Sequence, residues 1–290
     1  MKAKSLFLIL FSLFLANTLF AQSIDSTLVR IETADGNEFV GKIVKEDASQ
    51  LVLETTNLGQ LTIKKADIKS RELVQAEQLK DGKLWFSNPQ STRYFWAPNG
   101  YGLKAGEAYY QNIYVLWNQF TFGITDNFSL GGGIIPTFLF SGPTPVFATA
   151  KFSIPIEKDK VNLGAGTIVG TIIGEDVGAF GLVYGLSTFG SPDNNVSVGF
   201  AYGFADGEWA SSPLINVSGL FRIASRGYFI TENYFVHGDG ESLLIMGLGG
   251  RWIIKKAALD FIFGIPIGAD MDSFVAVPLI GFTIPFGNKK

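Results

Sequence analysis

Asn195-Val196-Ser197-Val198-Gly199-Phe200-Ala201-Tyr202-Gly203-Phe204 alternates at every position between a small or polar residue and a bulky apolar one. Strand side chains point to opposite faces with a period of two. One face therefore carries Val196, Val198, Phe200, Tyr202 and Phe204, and the other Asn195, Ser197, Gly199, Ala201 and Gly203. A half-buried strand of a soluble sheet sets its bulk against a solvated, often charged face. Here the second face has no charge and little volume. That suits a narrow lumen, and the bulky face suits lipid. The segment also has the ~9–11 residues that a tilted strand needs to cross a bilayer.

The pattern recurs. Val161 to Thr171 carries Gly164, Gly166 and Gly170 on one face. Phe180, Leu182, Tyr184 and Leu186 oppose Ala179, Gly181, Val183 and Gly185, and the bulky set is assigned to lipid. Leu259, Phe261, Phe263 and Ile265 oppose Asp260, Ile262 and Gly264, and the last strand carries Ile280, Phe282, Ile284 and Phe286 on one face. Eleven strands are legible at 109–124, 127–139, 144–155, 160–173, 177–189, 194–205, 213–223, 227–237, 241–253, 256–265 and 273–286. Bacterial single-chain barrels have even strand numbers, so Ser91–Tyr101 is taken as a twelfth, with ten strands as the alternative. The expected fold is all-β: a transmembrane antiparallel barrel of about twelve strands behind a small β domain. Tight polar turns at Thr125-Asp126-Asn127, 157–160, 191–194, Ser225-Arg226 and Lys255-Lys256 are assigned to the periplasm. Connections at 102–107, 140–143, 174–176, 206–213, 237–241 and 269–272 are assigned to the outside, and both termini to the periplasm.

Composition divides the chain near Asn88–Ser91. The first 91 residues hold 22 charges but 4 Gly and 6 Phe; the rest hold 27 charges with 30 Gly and 20 Phe. Residues 1–21 read as a signal peptide: Lys2 and Lys4 precede the apolar run Leu6–Phe20, which is too short for a bilayer-spanning helix, and Ala21-Gln22 offers a cleavage point. Residues 22–75 alternate in short runs around Asp35-Gly36 and Asn57-Leu58-Gly59, the pattern of a small SH3-like or Sm-like module, here a periplasmic spacer or docking domain for a protein partner. Val74, Ala76, Leu79 and Trp85-Phe86 read as a short helix and linker over 76–91, and 92–290 is the barrel. The whole is assigned to the outer membrane, in contact with its lipids and lipopolysaccharide.

Five charged residues face the lumen in this assignment: Lys151, Arg222, Glu232, Arg251 and Asp260. The last four sit on consecutive strands with alternating sign and are expected to pair in a ring near the periplasmic turns, because an unpaired buried charge costs several kcal/mol. Such a ring either knits the interior together or forms the constriction of a solute channel. Catalysis has little to work with. There is no Cys, and the single His lies in His237-Gly238-Asp239-Gly240-Glu241-Ser242, with the Ser five residues on across a Gly-rich turn. The chain is read as a non-enzyme without cofactor, metal or nucleic-acid partner, at a net charge of −3. Asp206, Glu208, Asp239, Glu241, Asp270 and Asp272 make the outer loops acidic and suggest divalent-ion contacts without EF-hand spacing. Gly131-Gly132-Gly133 lacks the following helix of a phosphate loop.

Asn88-Pro89-Gln90-Ser91-Thr92-Arg93-Tyr94-Phe95, Gly106-Glu107-Ala108-Tyr109-Tyr110-Gln111-Asn112 and Gly123-Ile124-Thr125-Asp126-Asn127-Phe128-Ser129 resemble a family of outer-membrane proteins of the Bacteroidota with an exported small-barrel domain ahead of the membrane barrel. The terminal aromatic strand resembles an outer-membrane insertion signal, with Gly287–Lys290 appended. The resemblance implies fold and location but no reaction. Three functions are weighed: solute passage, a non-conducting structural or interaction barrel, and, last, a lipid-modifying enzyme.

Overall fold

The computed structural model describes residues 28–74, 78–80, 83–136, 142–238, 240–268 and 275–287. The expected signal peptide lies outside them. The chain separates into two units, Met1–Trp85 and Phe86–Lys290.

In the first unit, five antiparallel strands form one sheet: β1 (Leu28–Thr33), β2 (Glu38–Glu46), β3 (Gln50–Thr55), β4 (Gly59–Lys64) and β5 (Ile68–Leu73), in the order β4-β3-β2-β1-β5. Alternate positions bury Val29, Ile31, Leu51, Leu53 and Ile63, with Phe39, Ile43 and Ile68 packed against them. On the opposite face Arg30 bridges Glu38 and Glu72; elsewhere Lys65 and Arg71 both hold Glu46. The Asp35-Gly36 turn closes β1–β2, with Gly36 at φ 87° and a Thr33–Asp35 side-chain bond. The expected helix falls on residues 75–77, outside the described residues, next to Gln78 in a 3-10 conformation; β6 (Leu79–Lys80) and β7 (Lys83–Leu84) then form a two-residue ladder.

The second unit is a closed barrel. Its wall strands are β8 (Glu107–Ile113), β9 (Trp117–Gly123), β10 (Phe128–Ile134), β11 (Thr144–Glu157), β12 (Val161–Ile173), β13 (Phe180–Ser191), β14 (Asn194–Ala205), β16 (Leu214–Arg222), β17 (Gly227–Gly238), β18 (Glu241–Ile254), β19 (Ala257–Gly268) and β20 (Val277–Gly287). A two-residue strand, β15 (Glu208–Trp209), folds back on β14. Every wall strand pairs antiparallel with its sequence neighbours, and β20 closes on β8 from Gly281↔Ile113 to Gly287↔Glu107. The wall thus has twelve strands and closes on itself, so no strand is left as a free edge. Outside runs a continuous apolar belt, including Phe120, Phe122, Phe152, Val198, Phe200, Phe261, Ile280, Phe282 and Phe286. Soluble monomers rarely expose a contiguous apolar patch of more than a few hundred Å².

The count of twelve is reached by different strands from those expected. Ser91–Tyr101 is not in the wall. Instead 109–124 divides into β8 and β9 around Tyr114-Val115-Leu116. The turns at 124–127, 158–160, 192–193, 223–226 and 255–256 share one rim, the turn rim, with the start of β8 and the end of β20. Residues 102–107, expected in an outer loop, also lie at the turn rim: Gly106 N–H donates to Gly123 O, and Ala105 N–H to Asp126 Oδ1. The other connections form the loop rim; 137–141 and 269–274 lie outside the described residues.

One face assignment is reversed. Leu182, Tyr184 and Leu186 of β13 point into the lumen, and Val183 and Phe189 face out. The reason is volume. Gly164, Gly166 and Gly199 lie opposite them, and a Cβ at Gly166 would lie 2.5 Å from Tyr184 Oη. Large residues on one strand fill what glycine leaves open on its neighbours, so bulk alone does not mark lipid.

Candidate functional site: a filled lumen

Inside the turn-rim half of the barrel sits the segment Phe86–Ala105. Asn88 Oδ1 accepts from Gln90 N–H at 3.0 Å, which starts an Asx turn. The chain then doubles back on itself. Tyr94 N–H donates to Ala97 O at 2.9 Å, Asn99 N–H to Thr92 O at 3.2 Å, and Arg93 bridges to Pro98. Tyr94, Phe95 and Ala97 at the tip pack on Ile113, Leu220, Tyr228, Ile230, Ile253 and Ile262, the inward residues of the wall. This plug has its own small core within the lumen.

The wall holds the plug mainly by its backbone. Arg251 is fully buried, and its guanidinium forms a two-bond pair with Asp260 at 2.7 and 2.9 Å. Its remaining donors go to Tyr94 O at 2.6 Å, to Gln90 O and to Asn88 Oδ1. Glu232 accepts from Phe95 N–H at 2.8 Å, from Trp96 N–H at 3.0 Å and from Tyr234 Oη–H at 2.7 Å. Lys151 Nζ donates to Thr92 O at 3.0 Å and Tyr101 O at 2.6 Å. Arg222 pairs with Asp193 at 2.8 Å and donates to Phe86 O and Ser225 O. Four of the five sequence-selected charges therefore bond to the plug, and Asp260 holds Arg251, but the five do not form a ring of pairs. Arg222, Tyr228, Arg251 and Asp260 follow one another along a register row. Glu232 lies four residues farther along β17, roughly 13 Å away at ~3.3 Å per residue. It pairs with backbone amides of the plug, not with an arginine.

Sequence reasoning missed the polar partners. Tyr94 Oη meets Asn195 Oδ1 and Ser197 Oγ, both at 2.7 Å; Gly100 N–H donates to Thr188 Oγ1 at 2.7 Å; Arg93 donates to Gln111 Oε1 at 2.6 Å. A signal was present. Pro98-Asn99-Gly100 is turn chemistry and argues against a spanning strand. Replacing Glu232 with Ala strands two buried amides at the plug tip and is expected to cost about 2–3 kcal/mol, with Glu232→Gln milder because it keeps an acceptor. Urea midpoints in detergent, with equal slopes, measure this; equal stability for Ala and wild type would refute the anchoring role.

Beyond the plug tip the lumen is open and apolar. One chamber of about 360 Å³ is lined by Phe95, Trp96, Leu182, Leu186, Ile262 and Leu279 among others. A second, of about 760 Å³, runs on past Trp96, Ile168 and Leu182 to Trp117, Phe147 and Trp209. Neither is lined by a described Lys, Arg or His. At the loop rim, on the outward face, His237 and Ser242 stand opposite each other in register, with Nδ1 2.9 Å from Oγ. The hairpin brings together two residues that their spacing seemed to keep apart. The acidic loop residues do not converge: among the described residues no three His, Cys, Asp or Glu gather to hold a metal, and Asp239, Asp270 and Asp272 lie outside them.

No protein-family model matches the chain, and no curated protein matches it. Among solved structures it is similar to OmpT, an outer membrane protein of Vibrio cholerae: 12% identity over 90% of this chain and 94% of that one, at a TM-score of 0.34. A loop L8 deletion mutant of that protein gives 11% identity over 90% and 96%, at a TM-score of 0.35. Such a likeness concerns the fold alone and transfers no residue. The chain is an outer-membrane β-barrel. The expectation that it is not an enzyme had rested on the separation of His237 from Ser242; the two are in contact, and the expectation is withdrawn.

Proposed function

We propose that this barrel is non-conducting and holds an apolar molecule in the loop-rim half of its lumen. The observation that carries this is the division of the interior: a hydrogen-bonded plug at one end and a nearly uncharged chamber at the other. An apolar chamber of several hundred Å³ with few polar groups is the usual form of a small-molecule site. Short turns in outer-membrane barrels face the periplasm, so the chamber opens toward the cell exterior and the plug faces inward. Solute passage, the other reading, fits this interior less well, because the polar-lined half is the half the plug fills.

The test uses a neutral alkane carrying a diazirine, photolysed with the full chain in detergent micelles. Labels are expected on Trp96, Phe147 and Leu182 as well as on the outer belt. Leu182→Glu places a charge in the chamber and is expected to cut interior labelling roughly tenfold or more. Belt labelling on Phe282 serves as the internal reference. Interior labelling that is absent, or unchanged by Leu182→Glu, would refute the chamber reading.

The strand order β5-β1-β2-β3-β4 supports a small Sm-like sheet in the first unit, which we read as a periplasmic docking module for a protein partner. A second reading rests on His237 and Ser242. Ser242 Oγ, giving its proton to His237 Nδ1, is placed to attack an ester carbonyl of a lipid at the membrane surface. Fatty-acid release from phospholipid vesicles bearing the chain, lost in both His237→Ala and Ser242→Ala, would support it. No release, or release that persists in either variant, would remove it.

A further inference from the structure

The wall around the chamber is uneven. β8, β9 and β10 have 7 residues each, whereas β11 and β18 have 14. At ~3.3 Å per residue and 35–45° tilt, seven residues rise about 18 Å and fourteen about 35 Å, while the apolar band of such a barrel is ~25 Å tall. The β8–β9 hairpin therefore ends within the lipid band.

Its tip has the chemistry of that place. Tyr114-Val115-Leu116 is uncharged, bulky and exposed, with Val115 76% exposed. Described connections elsewhere on the loop rim carry Glu175-Asp176 and Asp206-Gly207. Tyr114 and Val115 also hold φ of 55° and 66°. A β-branched residue at positive φ is a rare and strained choice for a turn, one that Asn-Gly would fill more easily in water. Behind this low wall lies the aromatic end of the larger chamber. Trp117 stacks on Phe147 with centroids 3.9 Å apart, and Trp96 meets Trp117 edge-on at 5.1 Å. Gly133 makes room for that stack, since a Cβ there would lie 2.4 Å from the Phe147 ring.

We propose that the chamber's ligand is the alkyl tail of a membrane lipid, entering sideways from the bilayer over the Tyr114-Val115-Leu116 hairpin. This rests on the apolar-chamber reading. The lining decides between a lipid tail and a free fatty acid. A free acid brings a carboxylate into a chamber with no described cation, and Glu232 on its lining is itself acidic and already bonded to the plug. A lipid tail enters alone and leaves its headgroup at the surface.

The test places the full chain in phosphatidylcholine vesicles that contain a phospholipid with a diazirine at the end of one tail. After photolysis, labels are mapped by peptide sequencing. The neutral diazirine alkane in the same vesicles is the second arm. Interior labelling of Trp96, Trp117 and Phe147 by both probes is the expected result. Interior labelling by the alkane alone, with phospholipid labels confined to belt residues such as Phe120, Phe122 and Phe282, overturns lateral entry and leaves the chamber standing. Interior labelling by neither overturns the chamber reading and this inference with it.

Discussion

If the barrel is non-conducting as proposed, replacing Gln90–Leu103 with a Gly/Ser linker of equal length is expected to make it conduct. The linker keeps the chain connected but offers none of the plug's anchors. It removes the carbonyls that Arg251 and Lys151 bind, the amides that Glu232 holds, and the Tyr94 ring with its hydroxyl. What remains around the emptied half is polar: Gln111, Gln119, Ser129, Asn162, Thr188, Asn195, Ser197 and Ser218 all face inward and are buried. A polar lumen fills with water and carries ions, as in porins. Conductance across planar bilayers is expected to rise by an order of magnitude or more over wild type. A variant that folds and stays silent would contradict the plug's role.

The second large effect concerns Arg251. Its guanidinium lies in the row Arg222–Tyr228–Arg251–Asp260 and serves wall and plug together. Arg251→Leu leaves Asp260 as a buried, uncompensated charge and is expected to cost about 3–5 kcal/mol. Combining it with Asp260→Leu should restore most of that loss, because replacing a whole buried pair by apolar residues is often neutral. The double variant is nonetheless expected to flicker open in bilayers, since the carbonyls of Gln90 and Tyr94 have lost their donor. Urea unfolding in micelles reads the first effect and single-channel recording the second. A single variant as stable as wild type would show that the pair is not what anchors this end of the lumen.

Much of the barrel was legible because lipid imposes a strict period. The faces of β14, β19 and β20 could be read from Asn195–Phe204, Leu259–Ile265 and Ile280–Phe286 directly. The errors share one cause: local pattern is blind to what fills an interior. Ser91–Tyr101 carries Tyr94, Phe95 and Trp96 and so resembles a membrane strand, yet those residues pack against the lumen wall. Tyr114-Val115-Leu116 hid a hairpin because it contains no turn residue, and the β8–β9 division went unseen. β13 was turned inside out because Leu182, Tyr184 and Leu186 answer glycines on neighbouring strands. The inward charges could be chosen from alternation, but their partners could not. Three of the five bond to the backbone of a segment that had been placed in the wall, and Asp193, which holds Arg222, sits in a turn.

The central claim is that residues 88–105 lie inside the barrel. A Cβ built at Gly100 would lie 2.8 Å from that of Asn162 on β12, and one at Gly102 would lie 2.8 Å from that of Ser153 on β11. A shift of about 1 Å brings either pair to the ~3.8 Å that a disulfide spans. The chain has no Cys of its own, so a Gly102→Cys/Ser153→Cys variant carries no background. Oxidised in membranes, it is predicted to form the intrachain disulfide throughout the population and to stay non-conducting. Free thiols after oxidation, open to a membrane-impermeant reagent, would place the segment outside the lumen and contradict the account.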